Sequence, residues 1–214
     1  MSKASFTAWW QLLRAGNVFT AASNIIAGYV IAEGGRESVA ALPVLILASA
    51  LLYEAGMVLN DVFDAELDAQ QRPERPLPSG RITASTASKV GWGLLIAGVV
   101  ATGWASLIVG HAVPLQVGVA LALCIVGYDA GLKNTPLGPW VMGSCRLLNV
   151  LLGASVIPEP WTTAALLYAL GIGLYTVGLT YFSKSENEGG WKFSNTLGTI
   201  IVLATTISLC VWLG

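Results

Sequence analysis

Charge is scarce in this chain. Asp, Glu, Lys and Arg make up 11% of its 214 residues against 55% hydrophobic, and mean hydropathy is +0.69. Soluble domains carry about a quarter charged residues, so this composition belongs in a membrane. A formal net charge of −1 excludes a nucleic-acid binder built on bulk positive charge. Histidine occurs once, as His111, in a predicted surface loop far from the polar segments, so no histidine-based mechanism is available. The three cysteines (Cys124, Cys145, Cys210) are scattered through apolar stretches without metal-ligand spacing, and small buried thiols are expected. The N-terminal MSKASFTAWWQLLRAGN has no apolar run followed by a small-residue cleavage site, so no signal peptide is expected.

What is abundant is membrane-grade apolar sequence. Crossing roughly 30 Å of hydrocarbon takes about 17 to 25 residues. Seven runs are candidates: about 17–33, 41–60, 86–109, 112–130, 138–157, 162–182 and 194–213. Small residues recur inside them, as in GWGLLIAGVVATG and LGIGLYTVG, and small residues let helices approach closely in a bilayer. The expected fold is all-α: a polytopic transmembrane helical bundle forming one domain over 1–214. Ten of the eleven Lys and Arg residues fall on one side of these spans, with only Arg36 opposite. The positive-inside rule then places the N-terminus and the loop after the second span in the cytoplasm. The expected location is a bacterial inner (plasma) membrane.

That loop holds the most informative residues, NDVFDAELDAQQRPERPLPSG at 60–80. Offsets of three and seven put Asp61, Asp64 and Asp68 on one helix stripe, joined by Asn60. Acids at the C-terminal end of an apolar helix oppose the helix dipole, so something else must stabilise them. Hard oxygen donors favour Mg2+, which binds one or two carboxylates plus substrate phosphate oxygens. Asn60 either ligates or orients a ligand. Arg72 and Arg75 follow at once; they are either juxtamembrane anchors or bidentate phosphate contacts. Lys133, in YDAGLKNTPLG, either snorkels or binds the same phosphate, with Tyr128 beside it at the cavity mouth and Asp129 unassigned. Glu54, at i−7 from Asp61, is expected to face the same cavity, as a general base or as a hydrogen-bonded polar residue. Arg14 with Asn17, and Arg146 with Asn149, should face the bundle interior, since such residues are expensive in lipid. Arg146 is a candidate ion-pair partner for Asp129 or Glu54.

NDVFDAELDAQQRPERPLPSGRI resembles the first signature of the UbiA superfamily of intramembrane prenyltransferases, NDxxDxxxD followed by an Arg-Pro-rich segment. Arg14 with Asn17, and Tyr128 with Lys133, match other recurring positions. SCRLLNVLLG and SKSENEGG look closest to an EboC-like branch. The resemblance implies nine helices around a lipid-facing cavity, of which seven are present here, so a C-terminally truncated domain is expected. It implies Mg2+ and a polyprenyl diphosphate, held by Asp61, Asp64 and Asp68 as metal ligands and by Arg72, Arg75 and Lys133 as diphosphate clamps. Arg14, Asn17, Asn60 and Tyr128 would complete the substrate site. The reaction would be ionisation of an allylic diphosphate and attack by an aromatic or other electron-rich lipophilic acceptor. The family's second Asp-rich motif is replaced here by TYFSKSENEGG. Its carboxylates Glu186 and Glu188 are two apart and point to different helix faces, leaving Ser183, Lys184 or Glu186 to contact phosphate directly. A non-catalytic prenyl-lipid binder or transport accessory is therefore the alternative. A phosphatidyltransferase of the CDP-alcohol class lacks its required motif here.

Overall fold

Each of the seven apolar runs forms a helix in the computed structural model, which describes residues 3–14, 16, 18–32, 36–159, 161–187 and 192–213. They are α2 (Val18–Ile31), α3 (Leu42–Phe63), α5 (Ala84–Val109), α6 (Val113–Asp129), α7 (Gly138–Ala154), α8 (Thr163–Asn187) and α9 (Lys192–Leu213). Two shorter helices, α1 (Lys3–Leu13) and α4 (Ala65–Gln71), flank the polar end of α3. No strand occurs among the described residues.

The helix boundaries follow local chemistry. Pro43, Pro114 and Pro139 stand in the first turns of α3, α6 and α7, where a missing N–H leaves no bond unmade. Thr83 caps α5 by accepting the Thr86 backbone N–H, and Gly110 ends it in the left-handed conformation.

The runs coincide with helices, but they are not seven equal spans. Val39–Phe63, Ala84–Val109 and Thr163–Ser183 are long and apolar enough to cross a membrane, while α2, α6 and Thr196–Ile207 are shorter apolar helices. At about 1.5 Å rise per residue, a helix of the length of α2 reaches only about 21 Å. Arg146 and Asn149 interrupt the apolar character of α7, because that helix lines a cavity rather than lipid.

The core gathers Ile25, Leu45, Leu52, Leu121, Val150 and Leu152 from α2, α3, α6 and α7. α3 packs most extensively on α5, and α7 lies between α2 and α8. The α2–α7 contact is backbone on backbone. A Cβ on Gly28 would stand 2.0 Å from the Val150 carbonyl oxygen, and one on Gly153 would stand 2.1 Å from that of Ile25. Ser49 donates to Asn149 Oδ1 at 2.7 Å, and Asn149 Nδ2 donates to the Ala21 carbonyl at 2.9 Å, tying α3, α7 and α2. Asn149 thus faces the interior, as its cost in lipid requires. The outer surface is apolar, with Leu107 80% and Trp104 63% exposed.

A second apolar cluster positions the polar loop. Leu77 and Ile82 pack with Ala8 and Leu12 of α1, Val58 of α3 and Ala87 of α5. Arg81 closes the loop over this cluster, donating to the Glu74 carbonyl at 2.6 Å and to Gln11 at 3.0 Å. The basic loop is thereby held over the end of α3.

Candidate active site at the polar end of the bundle

The acidic stripe is not one continuous helix. α3 stops at Phe63, and Asp64 adopts φ −91° and ψ 3° before α4 begins. The hydrogen-bond ladder nevertheless continues, since Asp64 N–H donates to Asn60 and Asp68 N–H to Asp64. The three carboxylates therefore stay on neighbouring directions, but they divide into two sets.

Asp64 faces outward into the mouth. Lys133 Nζ lies 2.7 Å from Asp64 Oδ1 and donates to Asn60 Oδ1 at 3.0 Å. The chain reaches Lys133 through a sharp turn at Gly131, whose φ of +147° suits glycine. Asp61 and Asp68 sit behind, 5% and 4% exposed. Arg14 Nη2 donates to Asp61 Oδ1 at 3.1 Å, and Arg75 Nη1 donates to Asp68 Oδ2 at 2.6 Å while lying 3.6 Å from Asp61. Arg72 stands 4.0 Å from Asp68, with its side chain 46% exposed. Arg14 itself has φ +48°, a conformation uncommon for a residue with a Cβ, at the end of α1.

Two cavities meet here. The mouth, about 340 Å³, is lined by Arg14, Asn60, Asp64, Leu67, Arg72, Arg75, Tyr128, Lys133 and Asn134. A deeper cavity of about 250 Å³ shares Arg14, Asn60 and Tyr128 with it. That cavity runs between apolar residues such as Leu52, Met57, Leu121, Ile125 and Met142, and includes Ser49, Tyr53, Asp129, Cys145, Arg146 and Asn149.

Several expectations change. Glu54 does not line the cavity. The wall of α3 is Ser49, Leu52, Tyr53, Gly56, Met57, Asn60 and then Asp64, whereas Glu54 stands one residue, or about 100°, round from Tyr53. Its Oε2 is buried without a hydrogen-bond partner. Arg146 makes no ion pair with Asp129 or Glu54 among the described residues. Its guanidinium lies 5.5 Å from the centre of the Tyr53 ring and donates to Thr20 Oγ1 at 3.3 Å. His111 is in the α5–α6 connection, but both ring nitrogens are buried without hydrogen-bond partners rather than exposed on a surface loop. Cys124 and Cys145 are free thiols and only partly buried. Asn17 and Glu188 lie outside the described residues, as do the side chains of Lys184 and Glu186, although α8 extends to Asn187.

Ser49, Tyr53 and Met57 were not legible as cavity residues. The only available signal was their i, i+4 and i+8 spacing back from the acidic motif. The donor chemistry fits Mg2+, since the site offers carboxylate and amide oxygens. No three acidic, histidine or cysteine side chains converge on one point among the described residues. A metal here would therefore need oxygens from its ligand.

The family comparison agrees with this architecture. The model of the UbiA prenyltransferase family matches residues 21–213, and the chain belongs to that family. Digeranylgeranylglyceryl phosphate synthase of Methanopyrus kandleri is 33% identical over 159 residues, covering 72% of this chain and 56% of that protein. The enzymes of the same name from Sulfurisphaera tokodaii and Saccharolobus solfataricus are 26% and 25% identical, over 92% and 96% of this chain and 70% of each relative. A solved structure described as giving insights into digeranylgeranylglyceryl phosphate synthase in membranes superposes with a TM-score of 0.75 at 25% identity. It matches 95% of this chain and 75% of that one. The matched part thus spans little more than half of the M. kandleri relative. Fold, family and apolar spans together make the chain an integral membrane protein. These relatives are archaeal, so they do not speak for the bacterial membrane expected above, and their names do not bear on an EboC-like branch.

Proposed function

We propose that this chain is a Mg2+-dependent prenyltransferase that ionises an allylic prenyl diphosphate and passes the prenyl group to a lipophilic acceptor. One observation carries the reading: a basic, polar mouth and an apolar cavity that share Arg14, Asn60 and Tyr128. That pair matches an amphiphile with a diphosphate head and a hydrocarbon tail. The names of the relatives include a glyceryl phosphate, which favours a lipid alcohol over an aromatic acceptor here.

The ion pairs indicate how the site would work. Arg14, Arg72, Arg75 and Lys133 are occupied by Asp61, Asp68 and Asp64. An entering diphosphate competes for these cations, and guanidinium groups take phosphate oxygens in pairs. The carboxylates they release, Asp64 first and then Asp61 and Asp68, would hold Mg2+. When bound, the metal neutralises charge on the diphosphate and on the leaving pyrophosphate. The basic side chains stabilise the same developing charge, and the apolar cavity keeps water from the allylic cation. We place the mouth on the cytoplasmic side, following the distribution of Lys and Arg.

The test is pyrophosphate release by purified protein from geranylgeranyl diphosphate with Mg2+ and a prenylglyceryl phosphate acceptor. Release should require Mg2+ and fall on the order of 100-fold or more in Asp64→Ala. Tight diphosphate binding with no release in the unmodified protein would favour the non-catalytic binder instead.

A further inference from the structure

Asp129 ends α6 and is the only carboxylate among the described residues that lines the deep cavity. It is 4% exposed, and its Oδ2 is buried with no hydrogen-bond partner. A carboxylate oxygen left unpaired away from water is costly, and such groups in native proteins call for a ligand or a role. The charged groups facing it are Lys133 from the α6–α7 connection, and Asp61 and Asp64 from the end of α3. Lys133 is already held by Asp64 and Asn60 at 2.7 and 3.0 Å. Arg14 and Arg146 share the cavity, committed to Asp61 and to Thr20 with Tyr53.

The donor substrate cannot satisfy this oxygen. Its prenyl chain carries no hydrogen-bond donor, and its diphosphate is an anion that a carboxylate repels. Asp129 also does not line the mouth where the diphosphate is placed. The Mg2+ of the reading above belongs with Asp64 at the mouth, whose lining does not include Asp129, which leaves the acceptor, and what a buried carboxylate oxygen takes is an O–H.

We infer that Asp129 binds the hydroxyl of an alcohol acceptor in the deep cavity and receives its proton, an assignment that rests on the prenyl-transfer reading above. The step balances. The allylic C1–O bond breaks and its electron pair leaves with pyrophosphate. A lone pair of the acceptor oxygen forms the new C1–O ether bond, and the hydroxyl proton passes to Asp129, which returns it to water after product leaves. The role selects an acceptor with a free hydroxyl and needs no oxidant or reductant.

The experiment uses the full chain in detergent with geranylgeranyl diphosphate, Mg2+ and geranylgeranylglyceryl phosphate. Three quantities are measured for the unmodified protein, Asp129→Asn and Asp129→Glu: donor affinity, thermal stability and the kcat for ether formation. Asp129→Asn should keep donor affinity and stability while kcat falls about 10²- to 10⁴-fold, the usual contribution of a positioned base. Asp129→Glu should recover part of the loss. Ether formation by Asp129→Asn at nearly the unmodified rate would overturn the inference and leave the prenyltransferase reading intact. So would a parallel loss of stability and donor affinity without rescue by Glu, which marks a structural role. If the unmodified protein binds the diphosphate but forms no ether, the prenyl-transfer reading itself fails, and this assignment falls with it.

Discussion

Arg75 and Arg72 are three residues apart in a proline-rich loop, yet they meet the acidic set very differently. Arg75 contacts two buried carboxylates, at 2.6 and 3.6 Å, while the more exposed Arg72 reaches one at 4.0 Å. Removing Arg75 leaves Asp61 and Asp68 underpaired in a dry environment. Arg75→Ala should therefore destabilise the protein by roughly 1–3 kcal/mol, read as a lower unfolding midpoint in detergent. Arg72→Ala should change stability by no more than about 0.5 kcal/mol while weakening prenyl diphosphate binding. Equal stability losses in the two variants would contradict the two-layer arrangement. Lys133→Ala removes the partner of both Asp64 and Asn60. We expect the affinity for prenyl diphosphate, followed by calorimetry, to fall roughly tenfold or more, since a charge-assisted hydrogen bond is worth about 1.5–3 kcal/mol. At this scale the acidic and basic residues were legible in the sequence because charge in an apolar chain is conspicuous. Which cation holds which anion was not, since contacts such as Arg14–Asp61 join residues far apart in the chain.

At the scale of helices, the crossing of α2 and α7 depends on two glycines that let backbone meet backbone. Gly28→Ala and Gly153→Ala each drive a methyl into a carbonyl oxygen on the partner helix. Overpacking of this kind costs about 1–3 kcal/mol or more, so both variants should unfold earlier in a detergent melt. Gly93→Ala in α5 is the control, because a Cβ there meets nothing within 4 Å. Its stability should hold or rise by up to about 1 kcal/mol from helix propensity. If Gly28→Ala melted with the control, the close α2–α7 approach would be wrong. Leu77 offers a second element-level test. It packs in the cluster beneath the basic loop, so Leu77→Ala should cost about 2–5 kcal/mol and raise the KM for the donor by releasing Arg75. Helix positions were readable from apolar runs and first-turn prolines. The break at Asp64 was not, because the residues 61–68 read as an unbroken stripe.

For the whole molecule, the fold gathers residues 14, 60–75 and 133 at one end of the bundle, and leaves apolar side chains such as Trp104 and Leu107 facing outward. Nearly all Lys and Arg residues cluster toward that end in sequence, so topology has a direct test. With native cysteines replaced, a cysteine at Ser79 should react with an impermeant maleimide only after the membrane is opened to the cytoplasmic side. A cysteine at Ala112, in the α5–α6 connection, should react from outside. Labelling of both from one side would refute the orientation. Membrane residence and a single polar face could be read from composition and from Lys and Arg spacing. The division into a polar mouth and an apolar cavity could not, because it is formed by walls from different helices.

The membrane environment and the helix positions were readable from the chain alone. Apolar length, small residues and lone charged clusters are local properties, and each acts wherever the chain places it. The packing of the folded bundle turns Asp64 to the mouth and leaves Asp61 and Asp68 behind Arg14 and Arg75. It alone turned Glu54 away from the cavity and brought Asp129 into it. The reason is angular: one residue along a helix is a rotation of about 100°, and only the packing of the neighbouring helices determines which of those directions opens onto the cavity.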